Sequence, residues 1–300
     1  MHYLITGGTG FIGSALIPVL IDNGHSVTVL SRQAKSSSKQ LRFVQSLDDV
    51  DDGETLDSVI NLAGASLAGK RWSSAYKQEI IDSRLSTTVA LYELISRLKA
   101  PPKVLLSASA IGFYGHHGDE RLSEDADVSP GFSQDLCQRW ETAALSCASL
   151  GVRVCLLRFG VVLDRDGGAF TEMARPFQMG VANWMGSGRQ WLSWVHRQDV
   201  ITAMLFLLEQ PELEGAFNVT APEPVTSKEF CDGMKKHVRT FITAPMPGIA
   251  MRLLVGEMAD ELLLQGQRVV PSRLLAAGFE FAMPTLDDAL LAIYGDRSKR

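Results

Sequence analysis

The stretch HYLITGGTGFIGSALIPVL, residues 2–20, decides which fold this sequence predicts. HYLIT (2–6) is short, apolar and partly β-branched, and it stops at a glycine, which is typical of a buried strand. Gly7, Gly10 and Gly13 follow at a spacing of three, and apolar residues then recur at helical spacing. A strand, a glycine turn and an amphipathic helix in this order predict the start of a dinucleotide-binding unit.

The glycine turn favours an anion for a geometric reason. Glycine lets the backbone approach a pyrophosphate closely, and the N–H groups at the start of the following helix then face its negative charge. SVTVLSR (26–32) supplies the second strand of the unit. A glycine-rich turn without a ligand is the plain alternative, and the flanking strand and helix argue against it.

The end of the second strand indicates which dinucleotide is bound. An acidic residue at this point would hydrogen-bond the adenosine ribose and favour NAD. The sequence has Ser31 and Arg32 instead, with Lys35 close by, and their donors match a 2′-phosphate. We therefore expect NADP as the cofactor, with a solvated loop arginine as the alternative for Arg32.

Strands and helices continue to alternate after this unit. SVINLAG (58–64) and KVLLSASA (103–110) are predicted strands, with a helix over about 73–98 between them. A helix over 133–150 leads to a third apolar run, VRVCLLRFGVVL (152–163). This order predicts an α/β fold with a doubly wound parallel sheet of the Rossmann type.

Composition excludes several classes of partner. The chain has 29 Lys and Arg against 34 Asp and Glu, which gives a net charge of -5. A mildly acidic chain has no general electrostatic attraction to nucleic acid or anionic membranes.

The four cysteines lack metal or redox spacing, so no metal is expected. The sequence begins without a signal-peptide pattern, and its apolar runs are too short to span a bilayer. We expect a cytoplasmic protein with a small-molecule substrate.

Short motifs recur at the ends of the predicted strands and helices. They are ITGGTGFIG (5–13), SR (31–32), NLAG (61–64), KRW (70–72), SR (83–84), SASAIGFYG (107–115), WE (140–141), LRFGVVL (157–163), GSGRQ (186–190), SWVH (193–196) with Asp199, and GQRVVPSRLL (266–275). Together they resemble the extended short-chain dehydrogenase/reductase superfamily. More narrowly, the chain is similar to the "epimerase family" proteins, which are related to sugar-nucleotide epimerases and carry their own C-terminal module.

The resemblance implies a set of cofactor-binding residues in the glycine turn, at two strand ends and on one helix. They are Gly7, Gly10, Phe11, Ile12, Gly13, Ser31, Arg32, Leu62, Ala63, Glu79, Arg84 and Val162. The resemblance places Leu62 and Ala63 under the adenosine half and Val162 near the nicotinamide. For Glu79 and Arg84, an ordinary solvated helix face is the alternative.

The same resemblance suggests how the chain is divided. Residues 1–163 form the NADP-binding Rossmann domain, and 190–220 return to it. Residues 164–189 and 221–300 form a smaller C-terminal substrate lobe, in which 249–296 are the module particular to the family.

The superfamily's catalytic pair is absent from this sequence. In the superfamily a tyrosine gives the proton that carbonyl reduction requires, a lysine four residues later lowers its pKa, and a serine polarises the carbonyl. Ser109 matches the serine, but Ser133 and Cys137 stand at the tyrosine and lysine positions. No Tyr-x-x-x-Lys occurs anywhere in the chain.

Tyr114, a few residues beyond Ser109, is the predicted substitute for the missing tyrosine, so Ser109 and Tyr114 are the predicted catalytic residues. His116 and His117 in the same loop, or a bound water, are alternatives. His196 and Asp199 look like a catalytic pair, but we expect Asp199 to be structural.

Two functions stay open on the sequence alone. The first is an NADP-dependent oxidoreductase or epimerase acting on a small carbonyl or sugar-like compound. The second is an NADP(H)-binding sensor or interaction protein without turnover. The missing tyrosine and lysine favour the second, and the aromatic lobe with Trp184, Trp191 and Trp194 favours the first, because a pocket suggests a ligand.

Overall fold

The computed structural model describes residues 1–295, so the last five residues of the predicted lobe, 296–300, lie outside the described residues. The strands are β1 (His2–Thr6), β2 (Ser26–Leu30), β3 (Leu41–Val44), β4 (Ser58–Asn61), β5 (Val104–Ala110), β6 (Arg121–Leu122), β7 (Arg153–Phe159), β8 (Val161–Leu163), β9 (Val181–Met185), β10 (Trp191–Leu192), β11 (Trp194–His196), β12 (Gly215–Val219), β13 (Val225–Thr226), β14 (Ile242–Met246) and β15 (Arg268–Val269). The α-helices are α1 (Gly13–Asp22), α2 (Ser74–Arg97), α3 (Phe132–Leu145), α4 (Gly168–Gln178), α5 (Arg197–Glu209), α6 (Ser227–His237), α7 (Gly248–Val255), α8 (Ser272–Ala276) and α9 (Leu286–Tyr294).

Seven parallel strands form the central sheet, in the order β12-β7-β5-β4-β1-β2-β3. The chain starts at β1, adds β2 and β3 on one side, and then crosses over to add the remaining strands on the other. A groove is expected beyond the carboxyl ends of β1 and β4, where this direction reverses. The predicted doubly wound α/β fold of the Rossmann type is confirmed.

Alternate residues of the central strands serve two separate cores, one on each face of the sheet. Ile5 and Leu106 pack with residues of α1 and α5 on one face. Leu4 and Leu105 pack with residues of α2 and of the 3-10 segment 146–150 on the other face. Burial on both faces explains why these strands read as continuous apolar runs.

The predicted strand over 152–163 is two strands in the structure. β7 ends at Phe159, and β8 pairs with β11 instead of continuing in the sheet. The break falls at Gly160. Only glycine fits there, because a Cβ at this position would lie 2.6 Å from the carbonyl oxygen of Ser193. The chain therefore leaves the sheet at Gly160 and starts the lobe.

The lobe has an apolar core of its own. Phe170 of α4, Phe230 of α6 and Leu290 of α9 pack around Trp194, which is fully buried. The last part of the chain also returns to the Rossmann domain, because β15 pairs with β6. No helix among residues 1–295 is long and apolar enough to cross a membrane.

Gly7 offers a direct test of the first turn. Its φ of 67° lies in the left-handed region, and a Cβ would lie 2.4 Å from the carbonyl oxygen of Leu62. We expect Gly7→Ala to lower the free energy of unfolding by about 1–3 kcal/mol, the usual cost of overpacking a rigid site. Ser14→Ala, at an exposed position in the first turn of α1, is the matched control. Equal urea midpoints for the two variants would contradict this reading.

Candidate functional site

The glycine turn leaves an open cradle at the carboxyl end of β1. A Cβ at Gly13 would lie 2.5 Å from the Cα of Gly8. The start of α1 therefore approaches the glycine turn more closely than any side chain at this position would permit. Gly10 donates its N–H to the carbonyl of Gly7 (2.9 Å), which fixes the bend. The three predicted glycines and the 62–63 backbone therefore come together at one edge of the sheet.

A cavity of about 470 Å³ opens beside this turn, lined by Gly10, Phe11 and Arg197 among others. The Phe11 ring lies against the backbone of Gly167 and Gly168, at the start of α4. The Arg197 guanidinium stacks on that ring, with 4.9 Å between its carbon and the ring centroid. The lobe thus touches the turn directly at Phe11.

The end of β2 presents one buried and one exposed side chain. The Ser31 hydroxyl donates to the carbonyl of Gln33 (2.8 Å) and accepts from the Gln33 N–H (3.2 Å), which shapes the loop. Arg32 is exposed and makes no hydrogen bond or ion pair with any residue from 1 to 295. Its guanidinium is therefore available to a ligand.

Arg84 belongs to α2, and its side chain reaches Gly64, just past the end of β4. This is an unusual setting for a charge. It is 9% exposed, its Nη1 donates to the carbonyl of Ile80 (3.1 Å), and no carboxylate from residues 1–295 lies within 4.0 Å of it. Its guanidinium stacks on the Trp140 ring. It also lies so close to Gly64 that a Cβ added there would be 2.9 Å from the guanidinium carbon. Burial lowers the pKa of Arg84, opposed by the nearby Cys137 and Tyr76.

Three predicted cofactor residues with larger side chains remain, and they differ in position. Glu79 is exposed on α2 and pairs with Lys70 (2.9 Å), so it ties the loop after β4 to the helix. Val162 lies in β8 opposite Val195 and packs against the core beneath α1 and α5. Ile12, next to the cradle, packs against the same core.

Ser109, near the end of β5, is 2% exposed and donates its hydroxyl hydrogen to Glu141 (2.7 Å). Cys137, at the superfamily's lysine position, contacts Ser109 and the backbone of Ala110. Burial raises the pKa of the Cys137 thiol to about 12, helped by the charge of Glu141. The thiol is therefore neutral at physiological pH and cannot replace a lysine cation.

Tyr114, the second predicted catalytic residue, lies in a buried and hydrogen-bonded setting. Its side chain is fully buried, and its hydroxyl donates to Asn218 (2.6 Å) and accepts from Arg158 (2.9 Å). Burial raises the pKa of Tyr114 to about 12. Asn218 is on β12, three strands from β4 and so about 14 Å across the sheet. That Tyr114 protonates a substrate stays a prediction, and the enclosed, already paired hydroxyl gives it no support.

Tyr114 belongs to a buried polar network that sequence reasoning missed. Arg158 is bound on two sides by Glu141 (2.8 and 2.9 Å) and also donates to the carbonyl of Glu124 (3.1 Å). The Glu124 carboxylate accepts from the backbone N–H groups of Asn218 (3.0 Å) and Arg273 (3.2 Å). A signal existed, since an arginine inside an apolar strand such as VRVCLLRF must find a buried partner.

A second unpredicted residue, Glu261, reaches the start of α3. It lies in a π-helical turn, Ala259–Leu263, and accepts a hydrogen bond from the backbone N–H of Ser133 (3.2 Å). Ser133 is the position at which the superfamily has its tyrosine. Glu257, four residues earlier, pairs with Lys77 of α2 (2.7 Å). The C-terminal segment thus brings a carboxylate to the place of the missing acid, which no local sequence signal marked.

The expectation for Asp199 is confirmed. Asp199 is fully buried and accepts the backbone N–H groups of Ala282 (2.8 Å) and Met283 (3.0 Å), while His196 Nδ1 accepts from Gln198 N–H and caps α5. Of the two loop histidines, His117 is held between the Tyr114 carbonyl and Glu120. Among residues 1–295, no three His, Cys, Asp or Glu side chains form a metal-binding group.

A parallel sheet of this order, with an open glycine turn at its switch point, defines a dinucleotide-binding α/β protein. Comparison with known families agrees: the model of the NAD dependent epimerase/dehydratase family matches residues 3–220, and a domain of unknown function, DUF1731, matches 246–293. The chain belongs to the NAD dependent epimerase/dehydratase family, and the resemblance stated from its motifs is confirmed.

Several relatives match over nearly the whole chain. An epimerase family protein of Mycobacterium bovis is 38% identical over 288 residues, 95% of each protein. The human epimerase family protein SDR39U1, in a crystal structure with NADPH, is 31% identical, with a TM-score of 0.87 over 99% of this chain and 100% of that one. UDP-glucose 4-epimerase of Thermus thermophilus, in a complex with NAD, is 20% identical with a TM-score of 0.75 over 100% and 99%, and shares the fold.

The structural role of Tyr114 predicts a stability effect. Tyr114→Phe removes the hydroxyl and leaves Asn218 Oδ1 without a donor in a buried site, so we expect a loss of about 1–3 kcal/mol in unfolding free energy. Tyr92→Phe is the control, because the half-buried Tyr92 makes no side-chain hydrogen bond within residues 1–295. Urea denaturation measures both. A Tyr114→Phe protein as stable as the control would refute the structural assignment.

Proposed function

We propose that this protein is an NADP-dependent oxidoreductase or epimerase-like enzyme acting on a small carbonyl or sugar-like compound. The observation that carries the proposal is the glycine cradle at the switch point of the sheet, with Arg32, which makes no ion pair within residues 1–295, at the neighbouring strand end. The human relative, 31% identical, was crystallised with NADPH, which supports the same cofactor for this chain.

The residues around the groove fit a dinucleotide. Only glycine fits at Gly7 and Gly13, because a Cβ would meet the backbone of Leu62 or of Gly8, and the N–H groups at the start of α1 favour an anion beside this turn. We propose Phe11 and Ile12 as further pyrophosphate contacts, Leu62 and Ala63 under the adenosine, and Glu79 and Val162 along the rest of the groove.

Arg32 and Arg84 hold the two ends of the cofactor in this proposal. Arg32 makes no hydrogen bond with any described residue, so its donors can bind a 2′-phosphate, and Ser31 shapes the loop that presents it. Arg84 is a buried guanidinium with no carboxylate partner among residues 1–295, held at the end of β4 beside Cys137. It places a positive charge near the position from which the superfamily's lysine acts, so we assign it to the nicotinamide side.

When bound, NADP(H) supplies or accepts a hydride, and the protein must handle the substrate's oxygen and its proton. Ser109 is positioned to orient that oxygen, and its hydroxyl is held by Glu141 until a substrate arrives. Glu261 is our candidate for the proton. It is half-buried, so it can exchange protons with water. It lies at Ser133, one helical turn or about 6 Å along α3 from Cys137, which in turn contacts Ser109.

A second function, an NADP(H)-binding protein without turnover, is favoured by one specific observation. The hydroxyl groups of Ser109 and Tyr114 both have protein partners, and the Cys137 thiol is neutral. In this alternative the buried network is purely structural, and the groove reports the level of the dinucleotide.

The cofactor assignment predicts a selective effect at Arg32. Arg32→Ala should weaken NADPH binding by about 1–3 kcal/mol, the usual value of a charge-assisted hydrogen bond, and leave NADH binding nearly unchanged. Lys39→Ala removes an exposed charge from the same loop and should leave NADPH binding intact. Calorimetric titration gives all the affinities. If Arg32→Ala weakened both dinucleotides alike, Arg32 would not be the 2′-phosphate ligand.

The proton assignment predicts a selective effect at Glu261. A screen of NADPH oxidation by carbonyl compounds and NADP⁺ reduction by alcohols identifies a turnover reaction. In that reaction Glu261→Gln should lower kcat about 10²–10⁴-fold, the range for a lost general acid or base, with NADPH affinity unchanged. Glu257→Gln is the matched control, because it alters the same segment away from Ser133.

The outcomes separate the two functions. If both glutamine variants turn over equally, Glu261 does not carry the proton. If a broad screen finds no turnover in a protein that binds NADPH, the binding-protein alternative is preferred.

A further inference from the structure

The most exposed apolar side chains among residues 1–295 lie at two adjoining places, the end of α4 and the segment 241–254. Four of them leave between 66% and 75% of their surface exposed: Phe241, Ile249, Leu253 and Leu254. Met179 is 76% exposed and precedes Gly180, against which the Phe241 ring packs, since a Cβ at Gly180 would lie 2.7 Å from that ring. The proposed function gives none of these side chains a role.

The exposed residues of the segment 241–249 form a continuous line. Alternate residues of a strand point to the same face and lie about 7 Å apart. In and around β14 every second position is exposed: Phe241, Thr243, Pro245, Pro247 and Ile249. None of these five residues carries a charge. The line therefore runs without a break from Phe241 to the start of α7.

The helix α7 extends this line with an apolar outer face. Ile249 and Leu253 are four positions apart and therefore share one face of the helix, and Leu254 borders that face. Val255 lies on the other side and packs against the cluster that contains Trp72, but α7 has no fully buried residue of its own. We call the line 241–249 and this outer face of α7 the apolar stripe.

The free edge of β14 is unsuited to a further strand. Among the strands of residues 1–295, β14 pairs with β9 alone. Ile242 donates its N–H to the Gly180 carbonyl (3.2 Å) and the Met246 carbonyl accepts from the Gly186 N–H (2.9 Å), so the even-numbered residues of β14 bond toward β9. Pro245 therefore faces the free edge, and proline has no N–H to donate to a neighbouring strand. A partner must contact the side chains of the apolar stripe instead.

The charges around the apolar stripe do not suit an anionic partner. Over residues 241–264 the sequence has one base, Arg252, against the three acids Glu257, Asp260 and Glu261. Arg252 is already paired with Asp260 (2.8 Å). Anionic lipid and nucleic acid are bound by clusters of basic residues, which this segment lacks. An uncharged surface fits another of the same kind, and a second copy of this chain supplies one.

The size of the apolar stripe matches what a stable dimer needs. With Met179 at its margin it has eight exposed residues. At roughly 100 Å² each they offer about 800 Å², and each partner of a standard protein interface buries about 800 Å². The largest apolar patch of a typical monomer is only about 300–600 Å². The stripe is therefore larger than a monomer usually leaves in water.

We propose that the apolar stripe is the contact surface of a homodimer, in which the same residues of two copies meet across a twofold axis. The ion pair of Arg252 with Asp260 ties α7 to the π-helical turn that carries Glu261. The second copy thus holds α7, and through it the turn that brings Glu261 to Ser133. The inference does not rest on the proposed function, because the interface forms whether or not Glu261 carries a proton.

Sedimentation velocity of the full chain over about 1–100 µM, a range that covers micromolar association, tests the dimer. We expect the parent to be dimeric at the upper end of this range. Ile249→Glu and Leu253→Glu should each weaken self-association at least about 100-fold, because each brings two like charges together across the interface. Leu291→Glu, at an exposed position of α9, is the matched control and should dimerise like the parent.

Hydrogen–deuterium exchange of the unsubstituted protein gives a second readout that does not depend on how a variant folds. The amides of α7 should exchange more slowly above the measured dissociation constant than below it, because the dimer suppresses local opening of the helix. Equal exchange of α7 at both concentrations would overturn the proposal.

Three further outcomes decide against the interface. A parent that stays monomeric over the whole range overturns it. A dimer that persists in Ile249→Glu and Leu253→Glu but is lost in Val89→Glu, which alters an exposed apolar position of α2, would place the interface on α2 and also overturn the proposal. A monomeric parent that co-sediments with vesicles of phosphatidylcholine and phosphatidylglycerol, while Leu253→Glu does not, would assign the apolar stripe to a membrane surface instead of a second copy.

Discussion

The buried ion pair between Arg158 and Glu141 is the interaction on which the arrangement of the site depends. Both side chains are nearly inaccessible, and Glu141 binds the Arg158 guanidinium at two points, 2.8 and 2.9 Å. Burial alone would lower the pKa of Arg158, but hydrogen bonding and the charge of Glu141 raise it on balance. Removing one partner of such a pair typically costs about 3–5 kcal/mol, because a buried charge is left uncompensated. Glu141 Oε1 also accepts from the Ser109 hydroxyl, and Arg158 Nη1 donates to the Tyr114 hydroxyl, so the site and the core share one network.

This network also explains why the C-terminal module is part of the site. Through Glu124 and Asn218 it binds the backbone of Val270 and Arg273, and so fixes the segment that carries Arg268. The same module brings Glu261 to Ser133, where the superfamily has its tyrosine. A chain without the tyrosine and lysine can therefore still present a carboxylate and a cation to the groove, but from different elements. Under the proposed function, the module supplies one of the missing catalytic groups, the carboxylate of Glu261, and α2 supplies the cation of Arg84.

Sequence patterns predicted the features that depend on neighbouring residues. The glycine turn, the order of strands and helices and the structural role of Asp199 follow from spacing and from local burial, and the structure has each of them. The break at Gly160 was missed because it depends on a close approach by Ser193, 33 positions later. Glu261 meets Ser133 across 128 positions, and no periodicity reports such a contact. Distance along the chain from Ser109 does not reveal that the Tyr114 hydroxyl bonds Asn218 on β12, so this contact could not be predicted from the sequence.

A crystal structure of the protein grown with NADPH tests the central claim most directly. The claim predicts the pyrophosphate over Gly7–Gly13, the 2′-phosphate within hydrogen-bond distance of Ser31 and Arg32, and Arg84 beside the nicotinamide half with Ser109 and Glu261 facing the same space. Density for the dinucleotide anywhere else, or a nicotinamide ring separated from Ser109 and Glu261 by intervening protein, would contradict it.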